Sequence, residues 1–504
     1  MRVFSVNARS GDEVATMHFE SSDEDVAGVT KLAAAAMPWL NRIGRLGRAQ
    51  LLGELASSLE DCGTRLVAIA DHETALGEAR LSAELARTAY QLRFMGEVAI
   101  EGSYLDASIE QPGVTPLGPR PDLRRTSVPL GPIAVFGASN FPFAFSAPGG
   151  DTASALAAGC AVIVKAHGAH AATSLLVKEA FDTVLSRWGA PEGVFQLVFG
   201  RAAGVALVTD PHISAVGFTG SLAGGRELFN EAALRPEPIP FYGELGSVNP
   251  LVVTLSAARS QADELGTGIA GSMTLGRGQF CTKPGLFLIP TGANGDKVVA
   301  ALIGALEQIS AGHLLTDRIR AEFVTGIDGL TALDEVTVLH HGDIDERCVA
   351  PVLVSVLSSS LTAGHCDAIM GEYFGPFGVV IRYGSPHELQ QVLAIFPPAL
   401  TGTLHTAGDD DPELVEISEL LRARSGRVVF NQYPTGVSVA WGMHHGGPYP
   451  ASTSTATSVG SNSIKRWIRP IVYQNAPRSV LPEELRDQPL PGFARRINGQ
   501  LRLG

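Results

Sequence analysis

Cysteine is scarce in this chain. Five occur in 504 residues, Cys62, Cys160, Cys281, Cys348 and Cys366, odd in number and scattered. No Cys-x-x-Cys is present, so neither a zinc ribbon nor a thioredoxin-type pair is expected, and no metal site is expected elsewhere. A long chain with few, unpatterned cysteines reads as cytosolic with reduced thiols. No run approaches about 18 consecutive apolar residues, so no membrane-spanning helix is expected. The amino-terminal stretch lacks an apolar core behind a basic start, so no secretory signal is expected either. Basic residues are outnumbered: 38 Lys and Arg against 51 Asp and Glu leave a formal net charge of −13. That removes the basic footprint a nucleic-acid partner requires.

What is present is an ordinary globular composition, 45% hydrophobic and 18% charged, with glycine abundant at 56 residues. Many tight strand-to-helix turns account for such a glycine content. The length suits two or three domains. Residues 1–100 read as mainly helical, with apolar residues at helical spacing in Val26–Ala36, Ile43–Asp61 and Ala75–Met95. Residues 101–128 are polar, Pro-rich and extended. From Pro129 short apolar strands alternate with helices, GPIAVFG at Gly131–Gly137 and CAVIVK at Cys160–Lys165 among them. Such alternation predicts a parallel sheet with helices on both faces and ligands at the carboxyl ends of its strands. A second α/β stretch runs from about Ser247 to Arg427. Asn431–Ser458 reads as loop, and Trp467–Gln474 as an edge strand.

Several places carry residues suited to chemistry. Cys281 lies in GRGQFCTKPG, among small, polar and turn-forming residues. Two readings stand there: an inert core thiol, or a nucleophile, with Lys283 placed to support the thiolate. Glu244, in YGELGSVNP, is either a surface turn carboxylate or a general base. Asn140, in ASNFPF, is a turn residue or an oxyanion donor. Gly220, Ser221 and Gly225 open a helix after a strand, where bare backbone N–H groups suit a phosphate. Lys165 ends an apolar strand and suits ribose or phosphate. The adjacent His444 and His445 in a Gly-rich loop lack the helical spacing of a metal pair.

Taken in order, Asn140, Lys165, Gly220–Gly225, Glu244, Cys281 and Glu372–Pro376 fall as they do in the NAD(P)-dependent aldehyde dehydrogenase superfamily. The chain resembles that family from about Pro129 to Gly447, with FTGS, ELG, GQFC and EYFGP matched in context. The resemblance implies an α/β fold of two parallel-sheet domains, one Rossmann-like for the cofactor and one catalytic, plus a small β oligomerisation arm. Residues 1–104 and 129–245 would form the cofactor domain and 246–450 the catalytic domain. The arm would comprise 105–128 and 451–480, followed by a C-terminal tail, 481–504. It further implies that Cys281 attacks the aldehyde and that Asn140 and the Cys281 N–H hold the oxyanion. Glu244 would activate the water that hydrolyses the thioester. Lys165 would hold the adenosine ribose, Glu372 the nicotinamide ribose and Ser221 the pyrophosphate, with Phe374 beside the nicotinamide.

Two departures carry information. The family's Lys-Pro-x-Glu is here Lys165-Ala166-His167-Gly168. Gly168 removes the carboxylate that would repel a 2′-phosphate, and Arg201 is placed to meet that phosphate, with help from His167. NADP is therefore expected, with NAD also accepted. The second is ASNFPF, which with VKAHGAH, FNQYPTGV, HHGGPYPAST and RPIVYQN resembles the α-ketoglutaric semialdehyde dehydrogenase branch. That branch also holds a bacterial NADP-dependent fatty aldehyde dehydrogenase. Oxidation of α-ketoglutaric semialdehyde to 2-oxoglutarate is the first expectation, in a bacterial cytoplasm and a homodimer or homotetramer. Arg277 is the candidate for the substrate's carboxylate. The alternative is a medium- or long-chain aliphatic aldehyde, with Phe141, Phe143 and Phe145 forming an apolar tunnel. A CoA-acylating member is disfavoured by the presence of Glu244, and a non-catalytic relative of the fold by the intact Cys281, Glu244 and Asn140 set.

Overall fold

The computed structural model describes residues 1–362, 366–488, 490 and 492–503. The first twenty residues, expected as part of a helical region, are a hairpin of Arg2–Val6 and Glu13–Phe19. Val3 from this hairpin packs with Ala166, Ala171 and Phe199. The following residue, Ser21, donates its N–H to the Phe199 carbonyl at 2.8 Å, and its Oγ accepts from the Phe199 N–H at 3.1 Å. The hairpin pattern is too short to outweigh the helical signal beside it.

Asp23–Asp61 is one long helix, opened by a reciprocal capping box between Ser22 and Asp25. It changes direction at Gly44, whose φ of 64° no side-chain-bearing residue adopts cheaply. The helices Gly63–Thr74 and Glu78–Glu101 follow.

A five-stranded, fully parallel sheet comes next. Its spatial order is Phe241–Glu244, Ala215–Thr219, Ile133–Phe136, Val162–Lys165, Phe195–Val198. These strands are almost wholly buried because helices cover both faces. The second sheet has seven strands in the order Thr337–His341, Val352–Leu357, Phe377–Tyr383, Pro284–Pro290, Asn249–Val253, Ala399–His405, Ser425–Phe430. All are parallel except the first, which runs antiparallel to its neighbour. Separate apolar clusters fill its two faces.

A third sheet of five strands combines Ile468–Gln474, Leu123–Pro129, Ser108–Glu110, Ala494–Ile497 and Gln500–Leu503. Ile468–Gln474 stands at its edge, paired antiparallel with Leu123–Pro129. The segment 494–503, expected as part of a tail, supplies two of its strands. Phe493 seats this segment by packing on Gly102, where a Cβ would lie 2.2 Å from the ring.

The two large sheets meet end to amino-terminal end. Glu244 closes a strand of the first, and Asn249 opens a strand of the second five residues later. The strand–helix alternation predicts ligands at the carboxyl ends of strands. Instead Cys281 precedes Pro284–Pro290 and Glu372 precedes Phe377–Tyr383. The site therefore lies between carboxyl ends from one sheet and amino ends from the other.

Candidate active site

The loop that carries Cys281 is held from three sides. Asn249, fully buried, donates its amide to the carbonyls of Cys281 at 2.8 Å and Lys283 at 2.9 Å. Asn140, 6% exposed, donates Nδ2 to the Gln279 carbonyl at 2.8 Å. Gln279 in turn accepts the Leu315 N–H at 2.9 Å. Gly278 has φ +67°, and a Cβ there would lie 2.1 Å from the Gly375 carbonyl oxygen. The GQFC and EYFGP turns thus press backbone to backbone, which only glycine permits.

Cys281 Sγ lies 3.6 Å from His445 Nε2, and His445 Nδ1 lies 3.2 Å from Glu244 Oε2. His445 is held there by its own N–H donating to Thr457 Oγ1 at 2.8 Å. Burial by itself would strip this imidazole of its proton. The hydrogen bonds and negative charges of Cys281 and Glu244 outweigh burial and push its pKa up to about 10. Both ring nitrogens then donate, Nε2–H to sulfur and Nδ1–H to carboxylate. His444 beside it is half-buried, and burial lowers its pKa instead. His445 lies 164 residues from Cys281 in a loop without periodicity, so spacing in the sequence gave no sign of the contact.

Two expectations around the thiol are corrected. Lys283 does not serve the sulfur: its ammonium donates to the carbonyls of Tyr373 at 3.1 Å, Gly375 at 3.1 Å and Phe377 at 2.9 Å. Burial pushes its pKa down to about 8, against the pull of Glu372. It anchors the EYFGP turn to the nucleophile's strand. Arg277 turns outward, its backbone at φ 58°, and donates to the Ser310 carbonyl at 2.6 Å. It does not line the cavity around Cys281. The remaining thiols differ in kind. Cys160 is fully buried, donates to the Trp467 carbonyl and is pushed up to about 11 by burial. Cys62 joins two helices, and Cys348 lies beside His313. The Cys366 side chain lies outside the described residues.

A cavity of about 350 Å³ runs from Cys281 along the meeting of the sheets. Asn140, His167, Gly220, Ser221, Glu244, Glu372, Phe374 and His445 face it, as do Phe141 and Phe145. Phe143 does not; it is fully buried in the core behind. Ser221 caps the helix Leu222–Leu234, its Oγ accepting from Gly224 N–H at 3.3 Å, so bare N–H groups open on the cavity. Gly225 lies one turn deeper, where a Cβ would meet Leu245 at 2.2 Å. Its function is close packing of helix on sheet. The Glu372 carboxylate opens on the cleft yet is walled by protein; burial raises its pKa, and Oε1 accepts from Ser247 N–H at 3.2 Å.

Lys165, Gly168 and Arg201 lie beyond this cavity, at the far end of the first sheet. Burial lowers the pKa of Lys165, opposed by the charge of Glu20. Gly168 looks onto open space. Arg201 is exposed and pairs with Glu227 at 3.0 Å. Burial holds His167 well below its ordinary value, and its Nδ1 accepts from Ala169 N–H at 3.1 Å. His167 therefore offers a neutral ring, not a charge, to anything bound there.

A thiol and a carboxylate joined through one imidazole, beside a helix N-terminus, equip the cleft for covalent chemistry next to an anion-binding turn. Residues 2–469 match the aldehyde dehydrogenase family, and the chain belongs to that family. It is 42% identical over 474 residues to α-ketoglutaric semialdehyde dehydrogenase 2 of Azospirillum brasilense, covering 93% of this chain and 90% of that one. It is 38% identical over 502 residues to the α-ketoglutaric semialdehyde dehydrogenase of Acinetobacter baylyi, covering 99% and 95%. Among solved structures, the NADP-dependent glyceraldehyde-3-phosphate dehydrogenase of Bacillus halodurans superposes with a TM-score of 0.80 at 21% identity, covering 94% and 96%. The enzyme is an NAD(P)-dependent aldehyde dehydrogenase. Among the described residues no helix is long and apolar enough to cross a membrane.

The row of Cys281, His445 and Glu244 has a measurable signature. Because His445 stays cationic to about pH 10, its support of the sulfur persists across neutral and mildly basic pH. Iodoacetamide alkylation of Cys281, followed by mass spectrometry, reads that support directly. In His445→Gln the rate at neutral pH should fall about tenfold. Equal rates in the two proteins at neutral pH would rule out the ion pair.

Proposed function

We propose that this protein oxidises α-ketoglutaric semialdehyde to 2-oxoglutarate through a covalent intermediate on Cys281. The observation that carries the chemistry is the hydrogen-bonded row of Cys281, His445 and Glu244. The substrate is supported by the two near full-length relatives named for it. Cys281 sulfur attacks the aldehyde carbon, and the carbonyl oxygen becomes an oxyanion. One Asn140 amide N–H is committed to Gln279, and the other is left for that oxyanion together with the Cys281 backbone N–H. His445 gives the sulfur a fixed cation before attack. NAD(P), when bound, would supply the hydride acceptor for oxidation of the Cys281-bound carbon to a thioester. Glu244 takes a proton from the water that hydrolyses the thioester, returning Cys281 and releasing the carboxylate.

The cleft suits a dinucleotide. Helix N–H groups behind Ser221 would hold the pyrophosphate, Lys165 the adenosine ribose and Glu372 the nicotinamide ribose, with Phe374 beside the ring. The preference is for NADP. Gly168 leaves room for a 2′-phosphate, and Arg201, on leaving Glu227, would pair with it. Glu20 stands against Gly200 near Lys165 and offers a carboxylate to a free ribose diol, so NAD is accepted too.

Cys281→Ala is expected to abolish aldehyde oxidation while NADP(H) still binds by fluorescence titration. Turnover retained in that variant would remove Cys281 from the mechanism. In the wild type, α-ketoglutaric semialdehyde should give a higher kcat/KM than succinic semialdehyde or aliphatic aldehydes. Preference for long aliphatic aldehydes would instead favour the apolar wall of Phe141 and Phe145 as the specificity element. Arg201→Gln should raise KM for NADP by about tenfold and leave KM for NAD within twofold; equal effects on both would exclude the phosphate contact.

Assembly as a homodimer or homotetramer through the third sheet is part of this reading. The edge strand Ile468–Gln474 leaves Val472 55% exposed and one row of backbone groups open to a second copy. Sedimentation velocity is expected to show a dimer or larger species, and a monomer at micromolar concentration would refute the assignment.

A further inference from the structure

Arg277 points outward, so a substrate that carries a carboxylate needs a different cation. Arg87, on the helix Glu78–Glu101, lies against the Phe145 ring with its guanidinium carbon 5.7 Å from the ring centroid. Phe145 is part of the wall of the cavity that holds Cys281. Arg87 Nε donates to Gln91 Oε1 at 3.0 Å, and Nη1 donates to the Val437 carbonyl. Nη2 is buried and has no hydrogen-bond partner. Native proteins leave few such donors, and those they leave tend to have a use.

A second guanidinium approaches from the other sheet. Arg427, on the strand Ser425–Phe430, donates to the carbonyls of Gly436 at 3.0 Å and Pro434 at 2.5 Å. The same loop is tied to the nucleophile's neighbour, since Gly436 N–H donates to Thr282 Oγ1 at 3.2 Å. Arg87 and Arg427 both lie close enough to Cys281 for their charges to act on the thiol.

The nearby negative charge does not balance these cations. Glu84 is the one carboxylate whose charge acts on Arg87, and it is already engaged. It lies 3.8 Å from Arg80 and accepts the N–H groups of Phe143 at 2.9 Å and Ala144 at 3.0 Å. Arg80 itself donates to the Asn140 carbonyl at 2.7 Å and stacks over Phe141 and Phe280. Arg87 is left as surplus positive charge directly behind Phe145, the ring that separates it from the substrate cavity. An aliphatic tail reaching that wall would leave Nη2 unpaired, whereas an oxo-acid brings acceptors to it.

We propose that Arg87, with Arg427 as a second cation, receives the carboxylate at the far end of the semialdehyde and so selects an oxo-acid over an alkyl aldehyde. This rests on the aldehyde-oxidation reading above and names the residue that gives that site its substrate class. Arg87 is a binding and specificity residue.

The test compares kcat/KM for α-ketoglutaric semialdehyde with kcat/KM for pentanal, which has the same number of carbons and no charge. Whatever Arg87 lends to the Cys281 thiol is lost for both aldehydes, so their ratio isolates the carboxylate contact. In Arg87→Gln the ratio should fall at least tenfold, chiefly through KM for the semialdehyde. Arg87→Lys, which keeps the charge, should recover part of it. A ratio within twofold of wild type in Arg87→Gln overturns the proposal. If the wild type itself prefers pentanal, the semialdehyde reading fails first, and the proposal falls with it. A second readout needs no turnover or variant. Glutarate, a dicarboxylate without an aldehyde, should slow iodoacetamide alkylation of Cys281 in the wild type more than pentanoate at equal concentration. Equal protection by the two also overturns the proposal.

Discussion

One buried amide ties the working parts together. Asn249 Nδ2 spends both hydrogens on the carbonyls of Cys281 and Lys283, while Oδ1 accepts from Ser247 Oγ and Thr401 N–H at 3.0 Å each. All four of its hydrogen-bonding positions are used, which is the limit for this side chain. It sits on the first residue of the strand Asn249–Val253, five residues after Glu244. The nucleophile's loop, the start of the second sheet and the strand Ala399–His405 are therefore registered to one another by a single group with no spare capacity. Each buried bond left unmade there would cost about 1–3 kcal/mol.

The end-on meeting of two sheets explains how the site combines its duties. Carboxyl ends of the first sheet present turns and a helix N-terminus, which suit phosphates and polar ligands. Amino ends of the second present the Cys281 and Glu372 turns, pressed together at Gly278 and Gly375. The loop bearing His445 crosses the junction and connects Cys281 of one sheet to Glu244 of the other. Charge is concentrated along this seam. His445 and Arg318 are cations facing the cavity, and Arg87 and Arg427 stand behind its wall.

Much of this was legible in the sequence because the relevant signals are local. A strand ending in glycine, a cysteine among small residues and a carboxylate between glycines each mark a turn beside a sheet, and their order carried the family. What was not legible depends on long-range contact. His445 sits in an irregular loop, and its meaning comes from a sulfur 164 residues away. Lys283 lies two residues from the thiol, and adjacency suggested electrostatic help, but the pleat of the chain turns its ammonium to the EYFGP carbonyls. Arg277 is near Cys281 in sequence, yet a left-handed backbone aims it outward. Arg87 lies in a helix whose periodicity says nothing about which loop will cover it. The N-terminal hairpin was hidden by the helical residues that follow it.

Lys283 has a practical side as well. Its ammonium is enclosed and saturated by three carbonyls, and burial pushes its pKa down to about 8. An amine with that pKa carries a sizeable uncharged fraction in mildly basic buffer, the form that acylating reagents attack. Reactivity and access are thus opposed at one atom. In the closed protein the reagent has no path to it, and when the two turns part the burial that lowers its pKa is lost as the lysine is uncovered. The rate at which Lys283 is acylated would then count openings of the junction between the sheets, a motion that catalytic assays do not see.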